Sequence, residues 1–576
     1  MDNQKEADMY SIEKMMTVSE SRIKDVEFYL SSVVEKRSND AEVYAAAYVL
    51  LQFKKNKMVT MDELKDYIQN DMTDTRRLFV SSVLRNGYSF VEENINRFSE
   101  IELAAFILRF HGHGGLYSGE QGTPESISRL ALQILQPAER ETIADLGNGI
   151  GDFLIITAME CPDSKCYGVE INTTSVEIAR IRTELVSNVF ELEQKDMFEL
   201  DGARSFDKIF SNYPFGLKLK SQSLVSYLDK IQKEVPTIKN ITSSDWLFNL
   251  LIVNCLGDNG KAVAVMTNGS TWNGIDRNIS DYFVKKVYVE AIIALPPRMF
   301  EYSSISTSMI VLSKGNTAIR MVDARELCEV GRRQTVLTKE NISEIVRLLS
   351  EDGDHSILVD NNVFADKEYV LYPARFMEQS VVIKNGVPFE SIIRRITRGA
   401  QIRASEMDNL VSDVPTDNQY LMLANIQNGI IDDDLPYLRD LDTRLDRYLI
   451  KDKDLLLSKI GEPFKIAVAE VEDGRKVLGN GNLFIIELDT ERANPYYIKA
   501  FFESEVGTSA LKNIAVGSQI PNISSESLRR LTVPLPPIEE QNEFAQKYMA
   551  KIDEVKILQA RLQKAMSSLK TMYEEE

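Results

Sequence analysis

The stretch IADLGNGIGDFL, residues 143–154, decides the fold of this chain. Its apolar start predicts a buried strand, its glycines predict a tight loop, and the residues after them predict the beginning of a helix. The spacing G-x-G-x-G differs from the dinucleotide pattern G-x-G-x-x-G. Asp145 ends the strand, where a carboxylate suits an ammonium group better than a pyrophosphate. The stretch predicts a doubly wound α/β domain that binds a ligand at the carboxyl ends of its strands.

Two more acidic residues follow predicted strands downstream. Glu170 ends the run from Cys166 and stands where a doubly wound fold places a carboxylate for ribose hydroxyls. Asp196, in Lys195-Asp196-Met197-Phe198, could face an adenine ring. A single acidic strand end is common by chance, whereas three in succession beside a glycine loop indicate a site.

Upstream of the loop lies the segment QGTPES, residues 121–126. It predicts a helix with Thr123 at the N-cap and Pro124 in the first turn. A plain capped helix is one interpretation. In the other, the helix amides and the Thr123 hydroxyl bind a carboxylate, such as that of a methionyl group.

Downstream, the stretch SNYPFG, residues 211–216, follows the apolar run Phe206, Ile209 and Phe210. The Asn212 carbonyl oxygen and the next backbone carbonyl can accept the two hydrogens of an exocyclic amine. Pro214 holds Tyr213 extended, and Phe215 offers a ring face for a base. An ordinary strand end with a proline turn is the alternative interpretation.

In this order of segments, residues 116–376 resemble the modification subunit of type I restriction-modification systems, an adenine-N6 DNA methyltransferase. Residues 260–269, 289–300 and 306–310 resemble the family's later strands. The resemblance implies S-adenosyl-L-methionine as cofactor, with catalysis by Asn212, Tyr213, Pro214 and Phe215 and with Phe215 and Phe300 stacking on the target base. It implies a cofactor site made of Gln121, Gly122, Thr123, Pro124, Asp145, Gly147, Asn148, Gly149, Glu170 and Asp196. Tyr213 departs from the family pattern, which has a proline there, and Leu-Gly follows Asp145 in place of Pro-Ala.

The composition changes after Phe376 to short β-like runs separated by turns. Arg394, Arg395, Arg398 and Arg403 make the first of these locally basic, as a DNA-binding edge requires, although a solvated charged face is the alternative. Residues 453–461, 517–524 and 531–541 resemble one target-recognition domain of a type I specificity subunit. Ordinary specificity subunits carry two such domains, whereas this chain carries one.

From Ile538 the apolar residues Ala545, Tyr548, Ile552, Val555, Leu562, Met566 and Leu569 follow a seven-residue repeat, broken at Gln559. This pattern predicts a long amphipathic helix that pairs with a second copy. Two copies would read a split, palindromic DNA target. Docking of the helix on the chain's own methyltransferase domain is the alternative.

The chain has 576 residues and a net charge of −20, which argues against indiscriminate coating of nucleic acid. The four cysteines and three histidines form no metal-ligand spacing, so neither a metal site nor a disulfide framework is expected. No membrane span or signal peptide is evident, which predicts a cytoplasmic protein.

The expected architecture is therefore an α/β protein with four parts. A helical N-terminal domain (1–115) precedes a doubly wound, Rossmann-like methyltransferase domain (116–376). An α+β target-recognition domain (377–537) and a long dimerisation helix (538–576) follow.

The expected function is site-specific methylation of adenine N6 in double-stranded DNA by a homodimer. A separate nuclease-translocase (restriction) subunit would be a further partner. Methylation of cytosine N4 or of a protein glutamine is one alternative, and a DNA-binding specificity module with a poorly active methyltransferase scaffold is another.

Overall fold

The computed structural model describes residues 12–33, 40–84, 88–111, 122–186, 188–200, 202–215, 222–238, 244–300, 303, 305–331, 334–366, 369–377, 383, 386–432, 434–516 and 521–571. The chain forms two compact units, which we call the first unit (Met1–Met377) and the second unit (Glu378–Glu576). None of the helices in these ranges combines the length and apolar character needed to cross a bilayer.

The described residues before position 110 form helices only, as the sequence predicts. Two of these helices begin with capping boxes, Thr60 with Glu63 and Ser99 with Glu102, in which side chain and backbone satisfy each other's free donors. The Ala-rich third helix is buried along most of its length, so it forms the centre of the bundle. The helices are α1 (Ile12–Thr17), α2 (Glu20–Val33), α3 (Asp40–Lys55), α4 (Met61–Asn70), α5 (Asp74–Leu84), α6 (Ser89–Asn94) and α7 (Glu100–Arg109).

A twisted sheet follows, whose order in the described residues is β11-β8-β6-β7-β5-β4-β1-β2-β3. Strands β1 to β5 pair in parallel, whereas β7 is antiparallel to both β5 and β6. The strands of the first unit, with the separate pair β9-β10, are β1 (Thr142–Leu146), β2 (Lys165–Glu170), β3 (Val189–Gln194), β4 (Phe206–Ser211), β5 (Leu256–Thr267), β6 (Val289–Ala294), β7 (Thr307–Leu312), β8 (Ala318–Asp323), β9 (Glu329–Val330), β10 (Thr335–Val336) and β11 (Ser356–Asp360).

Both faces of this sheet are covered, which confirms the doubly wound α/β prediction. Ala262 and Ala264 of β5 pack in one apolar cluster, while Val263 and Val265 pack in the cluster on the opposite face. A strand buried on both sides needs a continuous apolar sequence, and the run AVAVM of β5 provides it. The remaining helices of the first unit are α8 (Glu125–Leu135), α9 (Asp152–Glu160), α10 (Thr173–Thr183), α11 (Gln222–Glu234), α12 (Asp245–Asn254), α13 (Arg277–Lys285), α14 (Lys339–Leu348), α15 (Val363–Asp366) and α16 (Ala374–Met377).

The N-terminal helices share a hydrophobic core with α9 and α10. Ile155 of α9 and Ile178 and Ile181 of α10 pack in the same cluster as Leu50 and Phe106. A buried ion-pair group lies in this interface, because Arg76 binds Glu177 and also Glu184, the latter at 2.9 Å. The helices before residue 110 are thus packed onto the doubly wound part of the first unit.

The second unit consists of small sheets with short helices, as the α+β prediction requires. Its main sheets have the orders β13-β23-β20-β21 and β14-β18-β15-β22-β19. The strands are β12 (Gly386–Pro388), β13 (Ile393–Arg398), β14 (Val411–Ser412), β15 (Asn418–Leu421), β16 (Ile426–Gln427), β17 (Ile430–Ile431), β18 (Tyr437–Leu438), β19 (Leu449–Ile450), β20 (Leu455–Ser458), β21 (Ile466–Val468), β22 (Lys476–Gly479), β23 (Leu483–Leu488), β24 (Ala515–Val516), β25 (Asn522–Ile523) and β26 (Thr532–Pro534).

A single long helix ends the described chain, in agreement with the seven-residue repeat. Near its start, Gln541 is fully buried and Tyr548 binds both Lys499, at 2.7 Å, and Glu503. These contacts fix the first turns on the second unit. The helices here are α17 (Ala404–Leu410), α18 (Pro495–Glu503), α19 (Glu505–Ile514), α20 (Ser525–Arg530) and α21 (Ile538–Thr571).

Candidate active site

The glycine loop between β1 and α9 forms the floor of the candidate site. Gly147, Gly149 and Gly151 have φ angles of 83°, 52° and 85°, which favour glycine over other residues. The Gly147 and Asn148 amides donate to the Val169 carbonyl at 2.9 and 3.1 Å, so the loop is fixed to the end of β2. A Cβ at Gly149 would meet nothing within 4 Å, which leaves open space for a ligand above the loop.

Asp145 supplies a carboxylate at the end of β1. It is 3% exposed, and its Oδ1 accepts no hydrogen bond from the described residues. Burial, with Asp152 and Glu170 nearby, raises the pKa of Asp145 well above its ordinary value. A buried carboxylate of this kind lacks a cation, and a ligand ammonium group would supply one.

The two other predicted acidic residues lie at the same edge of the sheet, because β1, β2 and β3 are parallel neighbours. Glu170 accepts hydrogen bonds from the amides of Gly149, at 3.0 Å, and Asn172, at 2.8 Å. Asp196 accepts from the Phe198 amide at 3.0 Å. The structure therefore brings Asp145, Glu170 and Asp196 around the glycine loop.

Asn212 comes directly after β4, the strand next to β1. Its Nδ2 donates to the Thr123 hydroxyl at 3.1 Å, while its buried Oδ1 has no partner among the described residues. An amide fixed through its nitrogen in this way presents its oxygen as an acceptor. The arrangement is suited to binding an amine hydrogen.

The predicted N-cap role of Thr123 is wrong. Pro124 occupies the N-cap position of α8, and no side chain caps that helix. The Thr123 hydroxyl binds Asn212 instead, and its backbone amide donates to Asp152 at 3.2 Å. A tertiary contact therefore replaces the local cap. Gly122 lies beside Asp152, and Gln121 is outside the described residues.

Tyr213 carries its side chain away from the loop into the core. Its ring stacks on Phe248 at 4.6 Å between centroids, and its hydroxyl donates to Asn249 Oδ1 at 3.2 Å. Burial, with the charge of Asp245, raises the pKa of Tyr213 well above its ordinary value, so the hydroxyl stays protonated. This residue, which stands where the resembled family has proline, anchors the segment after β4.

Phe215 and Phe300 meet edge to face, with ring centroids 5.1 Å apart and planes at 79°. A base cannot lie between two rings in this arrangement. Phe300 is buried on the loop after β6, Phe215 is half-buried, and Pro214 between Tyr213 and Phe215 is exposed. Base stacking by Phe215 or Phe300 stays a prediction.

A buried network behind the glycine loop was missed by the sequence analysis. Asp152, the first residue of α9, accepts from Arg182 at 2.7 Å and contacts His111 at 2.8 Å. Burial opposes ionisation of Asp152, but Arg182 and His111 outweigh it and hold its pKa below the usual range. Arg182 also donates to the carbonyls of Ile150 and Leu108, each at 2.8 Å. The only signal in the sequence was an acidic residue directly after the third glycine of the loop.

The predicted DNA-binding arginines of the second unit differ in their surroundings. Arg394 pairs with Asp489 at 2.7 Å, and Arg395 contacts Glu487 and Asp454. The backbone amide of Arg403 donates to Glu406 at the start of α17. Arg398 is exposed at the end of β13.

Comparison with known proteins gives two family matches. Residues 104–384 match the family model described as N-6 DNA Methylase, and residues 422–565 match that of the type I restriction modification DNA specificity domain. The cofactor of the first family is S-adenosyl-L-methionine. The Asp145 carboxylate, whose Oδ1 has no partner among the described residues, fits its ammonium group, and the open loop at Gly149 fits its nucleoside.

Among curated relatives, the chain is 24% identical over 295 residues to the type I restriction enzyme MpnII methylase subunit of Mycoplasma pneumoniae. It is 23% identical over 309 residues to the EcoEI methylase subunit of Escherichia coli. These alignments cover 46% and 45% of this chain, and 54% and 61% of the relatives' own length.

A solved structure similar to this chain is the type I restriction-modification methyltransferase subunit from Streptococcus thermophilus, at 16% identity and a TM-score of 0.45. The match covers 62% of this chain and 98% of that one. The first matched range contains the glycine loop and Asn212, and the second lies within the second unit. Residues 104–384 are therefore an N-6 DNA methylase domain, and a type I restriction modification DNA specificity domain follows it in the same chain.

Proposed function

We propose that this chain methylates the N6 amino group of adenine in double-stranded DNA, at a sequence selected by its own specificity domain. The proposal rests mainly on the buried Oδ1 of Asn212, which accepts no hydrogen bond from the described residues and follows the strand next to the glycine loop's own strand. An exocyclic amine is the group that this oxygen suits, and the target base would have to leave the duplex to reach it.

S-adenosyl-L-methionine supplies a methyl group on a positively charged sulfur when it is bound. In the proposed site, Asp145 binds the cofactor's ammonium group, Glu170 its ribose hydroxyls and Asp196 its adenine. Gly122, Pro124 and the loop residues Gly147, Asn148 and Gly149 line the same site. The carboxylates lie at the ends of neighbouring strands, which is where doubly wound domains bind nucleotides.

Asn212 and the backbone carbonyl of Tyr213 would accept the two amine hydrogens of the target adenine. Both bonds leave the nitrogen lone pair directed outward and offset the positive charge that grows on nitrogen during transfer. The buried Tyr213 ring and Pro214 restrict the backbone that carries this carbonyl. Phe215 would stack on the base.

The test is methylation of DNA by the purified chain with methyl-labelled cofactor, followed by mass analysis of the nucleosides. We expect N6-methyladenine, and a rate loss of about 100-fold or more in Asn212→Ala. Asn212→Asp keeps the acceptor oxygens and serves as the matched variant. Label in N4-methylcytosine would overturn the choice of base, and absence of label would favour a DNA-binding protein with an inactive methylase scaffold.

We further propose a homodimer formed through α21. After Tyr548 the apolar residues of this helix are exposed: Val555 by 41%, Leu562 by 61% and Met566 by 55%. Such exposure is unusual for an apolar seven-residue repeat that has no partner helix. The helix has 34 residues and is ~50 Å long.

Because the relatives are methylase subunits of restriction enzymes, a separate nuclease-translocase subunit is a second proposed partner, which co-purification would test.

A further inference from the structure

Two cationic side chains lie at the same end of the sheet β13-β23-β20-β21. Arg398, the last residue of β13, is opposite Phe484 of β23, and Phe484 is opposite Leu457 of β20. Directly opposite residues share a face, and so do residues two apart along a strand. Lys459, two residues after Leu457, therefore projects from the same face as Arg398.

Hydrogen bonds fix the backbone on both sides of this sheet end. The amides of Gly399 and Lys459 donate to the carbonyls of Leu483 and Asn482, at 3.0 and 2.7 Å. A Cβ at Gly399 would overlap the carbonyl oxygen of Asn480, so only glycine permits this close approach. The positions from which the two cationic side chains project are thus preorganised by the sheet.

Neither cation has an acidic partner within the described ranges, where the side chains of Arg398 and Lys459 form no ion pair or hydrogen bond. Other nearby basic residues are neutralised: Arg394 and Arg395 of β13 pair with Asp489 and Glu487, and Lys451, before β20, pairs with Glu487 at 3.0 Å. Burial, and after it the charge of Arg398, lower the pKa of Lys459, as expected for two cations on one face of the sheet. In a chain with a net charge of −20, two cations on one face of a sheet, without described acidic partners, create a locally positive surface.

We propose that Arg398 and Lys459 together bind one phosphate of the DNA backbone. A guanidinium can donate two parallel hydrogen bonds to phosphate oxygens, and an ammonium adds a compact charge. Such a contact would position the specificity domain on the duplex without selecting its sequence. The inference rests on the proposed DNA-binding function and adds to it a defined contact that includes Lys459.

The test is the salt dependence of DNA binding by the full chain, measured by fluorescence anisotropy over a series of KCl concentrations. Two DNA duplexes serve as ligands, one that contains the sequence the chain methylates and one that lacks it. The double variant Arg398→Gln/Lys459→Gln should reduce the slope of log K against log salt by roughly 0.9, the value for one phosphate contact. It should weaken binding to both duplexes by the same factor, with an unchanged melting temperature.

The matched control is Lys451→Gln. This variant also removes a positive charge, but Lys451 is ion-paired with Glu487 and lies before the start of β20, whereas Lys459 follows its end. It should leave the slope unchanged. An equal reduction in this control, or an unchanged slope in the double variant, would overturn the phosphate site. A changed base preference at constant slope would also overturn it, in favour of a base contact. Failure of the wild-type chain to bind either duplex would overturn the proposed function itself.

Discussion

The hydroxyl of Thr123 determines which end of the Asn212 amide is left without a hydrogen-bond partner among the described residues. It accepts from Nδ2, so Oδ1 is left for a ligand. Thr123 is thus a positioning residue in addition to its proposed place in the cofactor site. One hydrogen bond between a loop and a strand end links the cofactor side of the site to the target-base side.

Replacing Thr123 with valine should lower kcat for methylation by about 5-fold, because the loss of a ~1 kcal/mol hydrogen bond lets the Asn212 amide rotate away from this orientation. Thr123→Ser keeps the hydroxyl and should restore kcat. Steady-state kinetics with the cofactor and DNA varied separately would check this. A rise in the cofactor KM at unchanged kcat would contradict the positioning role.

Asp145 should make the cofactor-free chain less stable as the pH rises. Its pKa is raised on folding, so between pH ~4 and that raised value the folded chain binds more protons than the unfolded chain. Asp145→Asn should therefore increase the unfolding free energy at neutral pH, by about 1 kcal/mol or more, and abolish cofactor binding. The gain should vanish below about pH 4.

Urea denaturation over a pH series, with calorimetric titration of the cofactor, measures both effects of Asp145→Asn. Asp196→Asn is the matched control, because the Asp196 carboxylate is half-buried and already accepts the Phe198 amide. It should bring no gain in stability. A loss of stability in Asp145→Asn at neutral pH would contradict the explanation.

At the scale of elements, α5 is attached to α10 through Arg76. This side chain is 9% exposed, binds Glu177 and Glu184, and lies over the Tyr48 ring at 4.7 Å. Arg76→Met should cost about 3 kcal/mol of unfolding free energy, because it leaves the buried Glu177 carboxylate with the partly exposed Arg180, at 3.3 Å, in place of its closer cation.

Chemical denaturation would measure the effect of Arg76→Met. Arg347→Met is the matched control, since Arg347 also contacts two glutamates, Glu344 and Glu351, but does so on an exposed helix surface. The control should leave the denaturation midpoint unchanged, as exposed ion pairs contribute little. Equal losses in the two variants would show that the interface does not depend on the buried pair.

Local patterns were sufficient to predict the elements that carry the site. The glycine loop and the strands β1, β2 and β4 depend mainly on nearby residues, and the structure has them where the sequence predicts them, although β1 ends at Leu146, one residue after Asp145. The Thr123 cap prediction failed because a residue far along the chain, Asn212, competes for the hydroxyl.

Long-range features could not be predicted in this way. The Asp152 network joins Leu108, His111 and Arg182, which are far apart in sequence and carry no shared motif. The edge-to-face contact of Phe215 with Phe300 likewise depends on how β7 enters the sheet between β5 and β6. Periodicity predicts strands but does not set their order.

At the scale of the whole molecule, the proposed dimer predicts that the protein has twice the mass of one chain in solution. Leu562→Asp should convert the dimer to a monomer, because a charge at a paired apolar position is costly to bury. Sedimentation velocity of the full chain would show the change. Leu358→Asp, an identical substitution at a 51% exposed position of β11, should leave the mass unaltered. A wild-type chain that sediments as a monomer would refute the dimer.

The hydrophobic core shared by the first helices with α9 and α10 has a consequence for how the chain melts and how it can be shortened. Deleting residues 12–109 would expose Ile155, Ile178 and Ile181 to water and remove the Leu108 carbonyl from Arg182. The shortened polypeptide should aggregate. Calorimetry of the intact chain should accordingly show no separate heat-absorption peak for the amino-terminal helices, which unfold together with the catalytic sheet.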